Sequence, residues 1–85
     1  MTMLRMCSIY DCKAEAWLTP MFFQAKGQAI RSFSDAVNGE SEFAKHPDDY
    51  TLFCLGTFDD SCGEFKLEKT PESLGLGVNF LRGAE

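Results

Sequence analysis

Clustered positive charge is the first thing this chain lacks. Its basic residues, Arg5, Lys13, Lys26, Arg31, Lys45, Lys66, Lys69 and Arg82, never stand side by side, and 13 acidic residues leave a net charge of −5. Coating nucleic acid by neutralising phosphates requires a basic stripe, so broad, sequence-independent DNA binding is not expected. A small basic patch made by folding, or across a dimer, stays open. The same scarcity argues against a membrane-surface helix, and no apolar run approaches the roughly 20 residues of a membrane span. Imidazole is scarce too. The one histidine, His46, precedes Pro47 in a polar stretch and reads as a loop residue. Internal repeats and low-complexity tracts are absent, and Ser73-Leu-Gly-Leu-Gly77 lacks the Lys-Ser/Thr ending and following helix of a phosphate loop.

Cysteine is present four times, at Cys7, Cys12, Cys54 and Cys62. Cys54 and Cys62 lack the two-to-four-residue spacing of a zinc knuckle, and His46 stands between the two cysteine pairs without a partner at ligand spacing. Met1-Thr-Met-Leu-Arg-Met6 has no apolar core and no cleavage site of a secretory leader, so an oxidising compartment is not expected. Free thiols follow as the expectation, with disulfides and metal as the weaker readings. Asp59, Asp60, Ser61 and Glu64 faintly resemble a calcium loop, but the segment is too short and lacks the alternating oxygen ligands. Turn-forming carboxylates explain it better. No cofactor, metal or catalytic set is expected.

Aromatics, by contrast, are plentiful for 85 residues: eight phenylalanines, two tyrosines and one tryptophan. Each buries roughly 150–250 Å², so one domain can build a core without metal or disulfides. A domain this small is still marginally stable, and subunit association would add to it. A homo-oligomer, in the simplest case a dimer, is therefore expected.

The segment Gly27-Gln-Ala-Ile-Arg-Ser-Phe-Ser-Asp-Ala-Val-Asn-Gly39 organises the chain. Ala29, Ile30, Phe33, Ala36 and Val37 recur with a 3.6-residue period, which predicts a helix over 27–38 with one apolar face. Asn38-Gly39 is expected to close it through a left-handed residue. Leu4 to Tyr10 reads as a first strand and Met21 to Ala25 as a second, joined by a helical turn or irregular bridge over 11–20. Residues 39–49 form a polar connection pinned by Phe43. Tyr50 to Phe58 is the clearest strand. With the turn at 59–63 and Glu64 to Leu67 it makes a hairpin over 50–67. Alternation from Leu74 to Phe80 predicts a last strand, and 82–85 reads as a frayed end. The fold class is α+β: a single domain, 1–85, with a mostly antiparallel sheet of four to five strands and the helix packed on one face. One helix cannot cover such a sheet, so its other face is left to solvent or to a second subunit. Trp17 either caps the core or stands exposed as an anchor for a partner.

Four ordered blocks carry a resemblance: Ser8-Ile-Tyr-Asp-Cys-Lys-Ala-Glu-Ala-Trp17, the helical segment 27–38, Lys45-His-Pro-Asp-Asp-Tyr-Thr-Leu-Phe53 and Gly56-Thr-Phe-Asp-Asp-Ser-Cys-Gly-Glu-Phe65. Together they resemble the small nonstructural protein of gokushovirus-type microviruses (Microviridae), which are single-stranded DNA phages. The likeness runs from about Met6 to Leu76. In the family pattern serine usually occupies the position of Cys12 and threonine is common at that of Cys62, which fits incidental, free thiols. The resemblance implies an accessory protein of the host bacterial cytoplasm, absent from the mature virion. By size and genome position it is likened to the coliphage protein that switches replication from duplex to single-strand synthesis and packaging. The family supplies no catalytic residues to carry over.

Three functions are weighed. A non-enzymatic adaptor would bind a phage replication or capsid protein, or a host replication protein, with Lys13, Glu15, Trp17 and Arg31 as candidate contacts. The bland alternative for each charged residue is local pairing or solvation. A single-stranded DNA-binding sheet would stack bases on Tyr10, Trp17, Phe53 and Phe65, but lacks the basic groove that mode needs. Catalysis would rest on His46 with a cysteine, or on the pairs Asp48-Asp49 and Asp59-Asp60, and is the least supported. No membrane partner is expected.

Overall fold

The computed structural model describes residues 3–82. Five strands form one antiparallel sheet: β1 (Met3–Asp11), β2 (Ala16–Trp17), β3 (Met21–Phe23), β4 (Tyr50–Asp59) and β5 (Glu64–Leu76). One main helix, α1 (Lys26–Val37), and a short α2 (Glu42–Lys45) lie between β3 and β4. This is the expected α+β class.

β1 is central. One edge pairs with β4 along its whole length, from Met3↔Asp59 to Asp11↔Tyr50. Its other edge is shared: β2 takes the end at Tyr10↔Trp17, and β3 takes the start at Arg5↔Phe23 through Cys7↔Met21. Every one of these pairings is antiparallel, which leaves β3 and β4, on opposite edges of β1, parallel to each other, and α1 carries the chain across one face of the sheet between them.

The apolar stripe predicted for α1 faces the sheet, with Ala29, Phe33 and Val37 buried against Cys7, Ile9, Leu52 and Cys54. Phe43, Tyr50 and Phe80 close the far end, where Phe33 and Phe43 meet edge-on at 5.8 Å and Phe43 and Tyr50 at 4.8 Å. Phe43 does pin the 39–49 connection, although that segment winds into α2 instead of remaining an open turn. All four cysteines are free thiols, Cys7 and Cys54 buried, Cys12 and Cys62 exposed.

Several local expectations are corrected. Asn38 and Gly39 are not left-handed: Asn38 has φ −101°. Instead the Asn38 amide donates to the carbonyls of Ser34 (2.7 Å) and Phe80 (2.9 Å), satisfying a helix-end acceptor with its own side chain. The second strand stops at Phe23, because Gln28 turns back to accept the Gln24 amide at 2.8 Å and starts the helix. The bridge over 11–20 holds a tight turn and then β2. β5 runs to Leu76, well past the expected end at Leu67, with bulges that absorb extra residues opposite Leu52–Gly56. No separate strand spans 74–80: Gly77–Phe80 is a 3₁₀ turn, held where Asn79 accepts the Leu76 amide at 3.0 Å. Of the frayed end expected at 82–85, residues 83–85 lie outside the described residues. Arg82 is tied down, its amide to Asn38 (2.8 Å) and its guanidinium to Asp35 (2.7 Å).

Candidate functional site: an aromatic surface on the helix-free face

Because successive strand residues point to opposite faces, the register assigns every paired side chain to a side. Cys7, Ile9, Leu52 and Cys54 lie under α1. The alternate β1 positions Leu4, Met6, Ser8 and Tyr10 therefore face away, and their partners Phe58, Gly56, Phe53 and Thr51 go with them. Trp17 opposite Tyr10, Phe22 opposite Met6, and Phe65 and Leu67 opposite Phe58 and Gly56 complete the same surface. No Asp, Glu, Lys or Arg occurs at these positions.

Two aromatic groups divide this face. At one end Trp17 packs between Tyr10 and Phe53, with ring centroids at 5.0 and 5.1 Å. At the hairpin end Phe58 meets Phe65 at 4.7 Å and Phe22 at 5.7 Å. Within the first group Trp17 stays 46 % exposed despite its two ring contacts. It is therefore exposed and not a core cap. The sequence suggests Tyr10, Trp17, Phe53 and Phe65 as platforms without dividing them. Phe65 belongs to the second, and the parts of Phe22 and Phe58 were missed, because only the register brings three separate strands to one spot.

The turn beside Trp17 carries two more of the proposed contacts. Asp11 accepts the amides of Lys13 (3.0 Å) and Ala14 (3.2 Å), folding the chain back sharply. Glu15 then takes φ +54°, a left-handed conformation that costs an ordinary side chain about 1 kcal/mol, and this delivers Trp17 into register with Tyr10. Ser8, buried on this face, donates its hydroxyl to the Leu18 carbonyl and ties the far side of the turn to β1. Lys13, Glu15 and Trp17 thus share one small hairpin.

Arg31 does not join them. It lies on α1, on the other side of the sheet, and lines a shallow groove of about 510 Å³ with Phe23, Gln28, Ser32 and Asp35.

Asp59 sits below the usual carboxylate range because the Ser61 hydroxyl (2.6 Å) and amide (3.0 Å) both donate to it. That is turn chemistry, as expected. The Lys26 ammonium is held above its ordinary value by its hydrogen bond to Glu72 at 2.6 Å, a pair joining the start of α1 to β5. His46 ends α2, exposed, and its ring has no hydrogen-bond or ion-pair partner among the described residues. Among those residues no three His, Cys, Asp or Glu side chains converge as a metal site would require. Among the described residues no helix is long and apolar enough to cross a membrane.

Fold and surface together describe a small α+β domain with a helix on one face of its sheet and an aromatic surface on the other. The chain belongs to a bacteriophage protein family: the family model described as Phage ORF5 protein matches residues 4–80. Comparison with curated proteins and with solved structures returns no match.

Proposed function

We propose that this phage protein is a non-enzymatic accessory factor of a gokushovirus-type microvirus, acting in the host bacterial cytoplasm and absent from the mature virion. It acts in genome replication, or in the switch to single-stranded DNA synthesis and packaging, by binding a phage replication or capsid protein or a host replication protein. The observation that supports this reading is Trp17. It is half-exposed yet fixed by two aromatic neighbours, and is flanked by Lys13 and Glu15 on a tight turn. A large side chain held rigid at the surface loses little entropy on binding, which is why tryptophan so often anchors protein contacts. Lys13 and Glu15 would set orientation at the rim. Arg31 would serve only a second contact, on the helix side.

A second reading, single-stranded DNA binding, draws support from Tyr10, Trp17, Phe53 and Phe65 sharing one face. Against it, Arg5 and Lys66 point to the opposite face by register, so they do not join Lys13 of the Trp17 turn in a basic groove beside the platforms.

Tagged protein pulled from infected cells, with and without nuclease, separates the two. Under the adaptor reading a phage or host protein survives nuclease treatment and is lost with Lys13→Glu/Glu15→Lys. Recovery of phage DNA alone, released by nuclease, sinks that reading. Unchanged phage growth with His46→Ala is the result expected of a protein without catalysis.

A further inference from the structure

We propose that the hairpin end of the helix-free face, centred on Phe22, Phe58, Phe65 and Leu67, is where two copies of this chain meet. Phe22, Phe65 and Leu67 are 45 %, 55 % and 71 % exposed. At these exposures the three side chains present roughly 300 Å² of apolar surface. Leu4 and Phe58, half-buried beside them, extend the patch. That supplies the dry centre of an interface of about 800 Å² per partner, with a polar rim making up the rest.

The opposite side of the same strand ends shows that this is not simply a solvated arm. There the register places Arg5, Thr57, Asp59, Glu64 and Lys66 with one exposed apolar side chain, Met3, a mostly polar surface suited to water. One side of the arm is dressed for solvent and the other is aromatic, an asymmetry expected where one side is covered.

Charge selects the occupant. Each chain carries −5. Two such chains can touch only through a surface that brings no like charges into contact, and the paired positions of this face carry no charge at all. Beyond about 8 Å, salt screens the repulsion of the remaining charges. Nucleic acid would require cations here, and an oppositely charged protein would find nothing to pair with. A self-complementary apolar patch related by a two-fold axis meets the requirement. The contact leaves the Trp17 end open, so this inference stands or falls independently of the adaptor reading.

Sedimentation equilibrium of the full chain, from about 1 to 100 µM, tests it. The wild type is expected to double its mass within that range. Leu67→Glu and Phe65→Glu should each weaken dimerisation by about a hundredfold while leaving the far-ultraviolet dichroism unchanged, because both side chains are already exposed. Emission from Trp17, the only tryptophan, should not change with dimerisation. A wild type that stays monomeric overturns the proposal. So does a dimer indifferent to both substitutions, or one dissociated by Ser32→Glu on α1 and not by Leu67→Glu. An oligothymidylate affinity that collapses in Leu67→Glu would assign the patch to DNA instead.

Discussion

The thiol of Cys7 offers the sharpest check on the packing between helix and sheet. Cys7 is 0 % exposed and lies opposite Cys54 across β1 and β4. Burial, reinforced by the neighbouring Cys54, pushes its pKa from 9.0 up to about 12. At pH 8 an ordinary thiol is about one-tenth thiolate, whereas one with a pKa near 12 is about one part in ten thousand. Reactivity should therefore fall by about a thousandfold before steric exclusion is counted. The assay is alkylation at pH 8 followed by peptide mass mapping. Cys12 and Cys62, both exposed, should label at once, and Cys7 and Cys54 only as the chain unfolds in urea. The pH dependence has a definite sign. The folded state favours the protonated thiol, so this contribution to stability is complete below pH 9, the unfolded value. As pH rises from 9 towards 12 the unfolded chain ionises first and stability declines, by up to about 1.4 kcal/mol per pH unit. Native labelling of Cys7 within tenfold of Cys12 would refute the packing described for β1, β4 and α1.

Other perturbations probe the supports of the candidate surface. Asn38→Ala removes a donated bond that closes the end of α1 at the Ser34 carbonyl, and one donated and one accepted bond that join α1 to the chain's last described turn at Phe80 and Arg82. At about 1 kcal/mol each, with some compensation by water, thermal unfolding should show a loss of about 2 kcal/mol. Gly56→Ala would drive a Cβ into the Lys66 carbonyl and to 2.9 Å from Leu67 Cα, both backbone atoms that cannot swing away. Urea denaturation should show a loss of about 3 kcal/mol, and exchange protection along β5 should drop; a neutral effect would contradict the β4–β5 register. Glu15→Gly relieves the left-handed strain, so stability should rise by about 0.5–1 kcal/mol. If Glu15 also touches a partner, the same variant should bind more weakly in the pull-down despite folding better.

The local features were legible where the physics is local. The period of Ala29, Ile30, Phe33, Ala36 and Val37 placed α1 to within a residue at each end, because a helix closes its hydrogen bonds within four residues. β1 and β4 were equally plain from their apolar alternation, and the carboxylates at 59–60 from their turn chemistry. Misreadings fell where distant groups decide. Gly39 suggested a left-handed cap, yet a Cβ there would come within 3.2 Å of the Asp35 carbonyl, so its smallness serves a close approach instead. The last strand expected over 74–80 gives way at Gly75 and Gly77, two close approaches of the kind that glycine in a strand pattern can mark. Phe80 presses on the first and Pro47 on the second, which allows the 3₁₀ turn to seal the core.

The candidate site divides in the same way. Lys13, Glu15 and Trp17 could be singled out in sequence because one short turn carries all three. That Trp17 would rest on Tyr10 and Phe53, and that Phe22, Phe58 and Phe65 would gather at the other end, was beyond reach. Those contacts join residues up to 43 positions apart, and a slip of one residue in any strand would move its aromatic side chains to the opposite face. Composition and periodicity thus determined an α+β domain with too many aromatics for one helix to cover. Only the antiparallel register decided where the uncovered ones lie, because sidedness in a sheet depends on the partner strand as much as on the strand itself.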